Sequence, residues 1–210
     1  MPHSDILIRP PDPADPRHIS DLLAIYEEAI PASERKSRAQ VAAMLHNPDY
    51  RFLGAFLARR LIGFAIVYRF RGEPLSLLEY TAVDPAHRSK GIGGRLLQAA
   101  LGTPEGATPL LLEVESDLEP SEDHAQRAMR KAFYRRFGCR EVAGLTYILP
   151  IGDDPPAMNL LVHDARRNDL DSATILRWLT LLYVEVYGCP ASDARIALMA
   201  ARLPEKVALI

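Results

Sequence analysis

Residues 79–97 read Glu-Tyr-Thr-Ala-Val-Asp-Pro-Ala-His-Arg-Ser-Lys-Gly-Ile-Gly-Gly-Arg-Leu-Leu. The stretch divides into a strand that stops at Pro85, a short basic turn rich in glycine, and a helix announced by Leu96, Leu97, Ala99, Ala100 and Leu101. Three properties of the turn suit an anion, and a pyrophosphate in particular. Gly91, Gly93 and Gly94 lack a Cβ, so the backbone can approach a ligand closely and take positive φ where a turn needs it. The opening turn of the helix leaves N–H groups unpaired, and the macrodipole favours negative charge there. Arg88, Lys90 and Arg95 bring positive charge to the same point. An ordinary strand-to-helix loop with solvated arginines is the competing reading, and the flanking basic residues and immediate helix weigh against it. Spacing excludes two other phosphate loops. A Walker A loop requires Gly-Lys-Ser/Thr after its last glycine, whereas Gly94 precedes Arg95-Leu96. A Rossmann fingerprint requires a third glycine where Leu96 stands.

Outward from this turn, composition bounds the chain. Its 210 residues suffice for one substantial core with a small appendage. A hydrophobic content of 48% and a charged content of 25% belong to an ordinary water-soluble globular protein. A net charge of −2 argues against a general nucleic-acid binder. Cys139 and Cys189 offer neither a disulfide framework nor a zinc set, and the six histidines form no ligand motif, so no metal is expected. The first residues lack a basic segment followed by an apolar one, and no apolar run nears the roughly eighteen residues needed to span a bilayer. The expectation is a cytoplasmic protein with no membrane partner.

Hydrophobic periodicity predicts strands over 6–9, 51–58, 61–70, 75–83, 109–115, 141–149 and 158–163. It predicts helices from the Asp15–Ser20 region to Ile30, over 38–46, from the glycine turn to 101, over 124–137, over 172–187 and around 193–203. On the helix over 124–137, Met129, Ala132, Phe133 and Phe137 mark the packed side, and Gly138 the C-cap. The class is mixed α/β. It has a central, mostly antiparallel sheet of about six to seven strands, with helices on both faces and a helical C-terminal extension. Residues 1–163 form the principal domain and 164–210 the extension, packed on that domain or at a subunit interface, which leaves a homodimer open.

Strand, proline, basic glycine turn, helix, strand and aromatic helix in this order resemble the GNAT superfamily of acetyl-CoA-dependent acyltransferases. The family's Gln/Arg-x-x-Gly-x-Gly/Ala motif stands here as Arg88-Ser89-Lys90-Gly91-Ile92-Gly93. The strand ending that precedes it is Val83-Asp84-Pro85, and an aromatic pair before a glycine appears as Phe133-Tyr134-Arg135-Arg136-Phe137-Gly138. The likeness covers about residues 5–163. It implies that backbone N–H groups from Arg88 to Arg95, through Gly94, hold the pyrophosphate of acetyl-CoA. The main chain of Thr81, Ala82 and Val83 would pair with the pantetheine arm, beside Phe133, at a splay after the motif strand. The thioester carbonyl would be polarised at that splay, as in an oxyanion hole.

Direct acetyl transfer to an amine needs a base for the ammonium and an acid for the departing thiolate. The resemblance assigns the acid to Tyr134. Without it, the residue reads as a packed tyrosine with its hydroxyl in water. Glu79 interrupts an apolar strand, shares a face with Thr81 and Val83 by simple alternation, and is the candidate base. A carboxylate paired with an arginine is the other reading. Glu113 and Glu115 alternate onto one face of the next strand and suit a cationic acceptor, as does Glu28 in the first helix. His87 adjoins the turn and is a further CoA contact to consider. The expected activity is acetyl transfer to a small-molecule or peptide amine. A non-catalytic acyl-CoA sensor and an N-acyltransferase with a longer acyl donor are the alternatives.

Overall fold

Alternating apolar residues and tight turns build the first half of the chain. The computed structural model describes residues 6–102, 108–118, 122–152 and 155–210. They divide into two units, Met1–Gly106 and Ala107–Ile210. In the first unit, β1 (Ile6–Arg9) leads to α1 (Pro16–Ala29), a 3-10 turn over Ala32–Glu34, and α2 (Arg38–Met44). Then follow β2 (Tyr50–Leu57), β3 (Arg60–Arg69), β4 (Ser76–Val83), a second 3-10 turn over Pro85–His87, and α3 (Ile92–Leu101).

Local chemistry fixes each boundary. Asp15 accepts the Arg17 N–H and Pro16 opens α1, a preferred first helical residue because its missing donor costs nothing there. Ser37 and Gln40 form a reciprocal capping box on α2. The four strands pair antiparallel in chain order. Leu22, Tyr26, Phe56, Phe64 and Ile66 are buried between α1 and this sheet. Each such side chain contributes about 1.5–3 kcal/mol of transfer free energy.

One irregularity matters for the site. Ile66 pairs with Tyr80 and Val67 with Leu78, so Glu79 is the extra residue of a β-bulge. The bulge overturns the simple alternation that grouped Glu79 with Thr81 and Val83. Thr81 pairs with Ala65. Glu79 instead joins Tyr80 on the side where Tyr50 and Tyr80 pack against the α1 core.

In the second unit β5 (Leu110–Glu115) precedes α4 (His124–Arg136), β6 (Arg140–Glu141) and β7 (Met158–His163), with strand order β5-β7-β6, again antiparallel. The tail adds β8 (Asp169–Asp171), α5 (Ser172–Leu181) continued by a π-helical turn over Leu182–Val186, α6 (Ala194–Ala200) and β9 (Lys206–Ala208). Strand β9 pairs with β8. Glu141 and Ile210 exchange both main-chain hydrogen bonds, at 2.7 and 3.0 Å, which joins the tail to β6. With four strands in one unit and five in the other, all antiparallel in their described pairings, the class is the mixed α/β, mostly antiparallel one expected. Among the described residues, no helix is long and apolar enough to cross a membrane.

Two expectations fail in this unit. The strand over 141–149 shrinks to Arg140–Glu141. Gly144 turns the chain at φ +71°, and beyond Glu141 only single bridges remain, Val142 to Leu209 and Tyr147 to Met158. On α4 the packed side is not the one marked by Met129 and Ala132. Met129 is 66% exposed and Ala132 is exposed, while Lys131 and Tyr134 are buried. Lys131 tolerates burial because Asp117 and Glu141 each meet its Nζ at 2.8 Å and Asn159 accepts at 3.2 Å. Gly138 ends α4 as expected, at φ +82°. The loop after residue 102 lies partly outside the described residues.

Candidate active site

The basic glycine turn is held open by its own side chains. Asp84 accepts the Ala86 N–H at 3.0 Å and starts the 3-10 turn over Pro85–His87. Burial opposes ionisation of Asp84, but the Ala86 N–H, His87 and Arg60 outweigh it and hold the carboxyl below its usual range. His87 is thus occupied by Asp84, with Nδ1 3.2 Å from Oδ2. Ser89 (φ +62°) and Gly91 (φ +75°) then turn the chain into α3. Gly91 is the N-cap and has open space where a Cβ would stand. Gly93 and Gly94 lie inside the first helical turn. Among the described residues, the loop and cap hydrogen bonds use the N–H groups of His87, Arg88 and Arg95, and none from Ser89 to Gly94. That row of free donors at an exposed helix start can receive phosphate oxygens.

The cations around the turn are more committed than the sequence suggests. Arg88 donates to the Val83 carbonyl at 3.1 Å and to Glu28 Oε2 at 3.0 Å, tying β4 and α1 to the turn. Lys90 Nζ donates to the Ala86 carbonyl at 3.0 Å, and Arg95 donates to the Ile6 carbonyl of β1. Ile92 is buried beneath. On β4, Val83, Ala82 and Thr81 pair with Gly63, Phe64 and Ala65. A Cβ on Gly63 would sit 3.0 Å from the Ala82 carbonyl oxygen, so a side chain there would push β4 away by a few tenths of an ångström.

Glu79 stands at the bulge with its side chain 6% exposed. Lys36 Nζ lies 2.8 Å from its Oε1, the Tyr50 hydroxyl stands beside the carboxylate, and among the described residues neither buried oxygen receives a well-aligned hydrogen bond. The partner is therefore a lysine, not the arginine that sequence reasoning offered. Tyrosines surround the pair. Tyr50 has its pKa raised by burial and then by Glu79, and so does Tyr80. The Lys36 Nζ stands 5.8 Å from the centre of the Tyr80 ring, and its main-chain N–H donates to the Tyr26 hydroxyl at 2.8 Å. The Tyr80 hydroxyl donates to the Glu34 carbonyl. The loop from Ala32 to Ser37 is thereby pinned over the bulge.

In the second unit, Tyr134 is 8% exposed, with its ring edge-on to Phe133 at 5.2 Å. Among the described residues its hydroxyl has no hydrogen bond. Burial pushes its pKa up to about 12, with Cys139 adding to the rise and Arg130 opposing it. Glu115 is neutralised by Arg127 at 3.3 Å and Arg130 at 2.8 Å. Glu113 accepts from the Tyr187 hydroxyl at 2.7 and 2.8 Å and from Tyr147. The Tyr147 pKa is raised well above normal, first by burial and then by Glu113. Lys36, Tyr147 and Tyr187 were not anticipated. Tyr187 directly follows a π-helical turn, a feature often found at functional sites.

Residues 19–139 match the model of the acetyltransferase (GNAT) family. Among solved structures, one described as a GNAT-family acetyltransferase from Bacteroides thetaiotaomicron is 25% identical and superposes with a TM-score of 0.70, covering 88% of this chain and 100% of that one. Arabidopsis thaliana NAA60 in complex with acetyl-CoA is 19% identical at a TM-score of 0.60, covering 78% and 100%. An aminoglycoside 6′-N-acetyltransferase complexed with coenzyme A is 18% identical at 0.60, covering 74% and 94%. No curated protein sequence matches the chain.

Proposed function

The chain belongs to the GNAT acetyltransferase family, and on that premise we propose that it moves an acetyl group from acetyl-CoA directly to a primary amine in a ternary complex. The observation that carries the reading is the turn from Arg88 to Arg95, whose N–H groups between Ser89 and Gly94 are unspent at the start of α3. Those donors hold the pyrophosphate. The main chain of Thr81, Ala82 and Val83 aligns the pantetheine arm, and Phe133 packs beside it. Glu79 takes a proton from the acceptor ammonium, and Tyr134 gives one to the departing thiolate. A phenol with a pKa near 12 stays protonated at neutral pH, which suits a donor.

Of the carboxylates suited to a cationic acceptor, Glu28 would have to release Arg88 and Glu115 its two arginines. Glu113 keeps both phenols while an ammonium approaches, and it is the one we favour. Residues 164–210 form an addition to the family domain at residues 1–163, secured at Glu141.

Gly93→Glu tests the cradle. A carboxylate in the first turn of α3 complements the helix dipole, so folding is preserved, while its charge opposes the pyrophosphate. Calorimetry should show CoA affinity falling by about a hundredfold or more, roughly two or three lost phosphate hydrogen bonds. Undiminished affinity would remove the turn from the donor site.

A further inference from the structure

The Glu79 carboxylate already holds a primary amine. Lys36 Nζ is 2.8 Å from Oε1, the Glu79 side chain is 6% exposed, and Lys36 itself keeps 27% of its side chain exposed. The loop that carries it is not loosely draped. Its backbone is fixed by Tyr26, its ammonium stands by the Tyr80 ring, and Tyr80 in turn holds the Glu34 carbonyl. A lysine set in this way presents the same group, at the same base, that an external acceptor would have to bring.

We propose that Lys36 is an acetylation site of the protein itself, modified in cis by its own bound acetyl-CoA. The inference rests on the acetyl transfer reading above and on Glu79 as its base. Glu79 accepts one proton from the Lys36 ammonium. The neutral amine then forms a bond to the acetyl carbon as the carbon–sulfur bond breaks. The second proton leaves nitrogen for the departing thiolate, giving an N-acetyl-lysine, the CoA thiol and a protonated Glu79 that discharges to solvent. No oxidant, metal or further reactant is required.

The modification has a consequence for the site. An acetylated Lys36 carries no charge, so the pair at the bulge is dissolved and Glu79 is left facing the next amine. An acetylated population and an unacetylated one present different acceptor pockets.

The purified full chain, incubated with acetyl-CoA and followed by intact-mass and peptide mass spectrometry, tests the proposal. Wild-type protein should gain one acetyl increment on Lys36, at a rate independent of protein concentration. Lys36→Arg keeps the charge and should gain none there. Glu79→Gln should slow the labelling about a hundredfold, the scale of a lost general base. Calorimetric titration with CoA is run on the same samples. CoA binding without acetyl on Lys36 overturns the proposal and leaves the transferase reading standing. A rate that rises with protein concentration overturns the intramolecular step. Failure to bind CoA at all overturns the underlying reading and the proposal together.

Discussion

Two lysines of this protein are drawn against carboxylates in largely enclosed ion pairs, and they are satisfied very differently. Lys131, 5% exposed at its side chain, meets Asp117, Glu141 and Asn159, which together take up the donors of its ammonium. Lys36 meets Glu79 at 2.8 Å, and neither oxygen of that carboxylate receives a well-aligned hydrogen bond among the described residues. A closed network fixes a fold, because each member would be costly to leave unpaired. An open one keeps an acceptor available for a proton. The same contrast separates the tyrosines. Tyr147 and Tyr187 are bonded to Glu113, whereas the Tyr134 hydroxyl has no described partner.

The contrast breaks most readily at the lysines. Lys131→Met strands Asp117, leaves Glu141 to Arg135 and Asn159, and should cost about 3–5 kcal/mol in chemical denaturation, the range for removing one side of a buried pair. Lys36→Met removes a single ion pair whose lysine is already 27% exposed, and should cost no more than about 1–2 kcal/mol. Equal losses would erase the distinction. Tyr134→Phe sharpens it at the phenols. Turnover should fall by about ten- to a hundredfold with CoA affinity and stability nearly intact; an unchanged rate removes Tyr134 from proton transfer.

The smallest expected effect is on pH. Lys131 holds Asp117 below the usual carboxylate range. Its stabilisation is therefore complete above the ordinary Asp value of about 4 and lost as pH falls through the lowered one. The Lys131 pKa is itself raised, because the bonds to Asp117 and Glu141 outweigh the burial that opposes its charge. That contribution is present below the ordinary Lys value of about 10.4 and lost as pH rises past the raised one. Lys131→Met should flatten both ends of a stability–pH curve, and ends as steep as those of the wild-type protein would remove Lys131 from both linkages.

The glycine turn was legible in the sequence because its code is local: glycines, charges and a helix start within ten residues of one another. Glu79 was legible as an acid in an apolar strand, but its face was not. A one-residue bulge on β4 is set by pairing with β3, which alternation along one strand does not contain. Lys36 left no signal at all, since nothing in Ala-Ser-Glu-Arg-Lys-Ser says which charge returns to a distant strand. Met129 and Lys131 inverted the usual rule for the same reason. The apolar residue faces water, and the charged one is buried by partners supplied from Asp117 and Glu141. The strand over 141–149 failed where Gly144 takes a left-handed turn that apolar spacing does not register.

The bulge at Glu79 also sets a short evolutionary distance. An extra residue in one strand is an insertion in register. Losing a single neighbour, such as Leu78, would restore an unbroken ladder between β3 and β4 and rotate the carboxylate to the opposite face of the sheet. The glycine turn would be untouched, but the buried side chain of Leu78 would be lost and a carboxylate set in its place. One deleted codon therefore separates a strand that turns its acid toward Lys36 from one that turns it into the opposite layer of side chains.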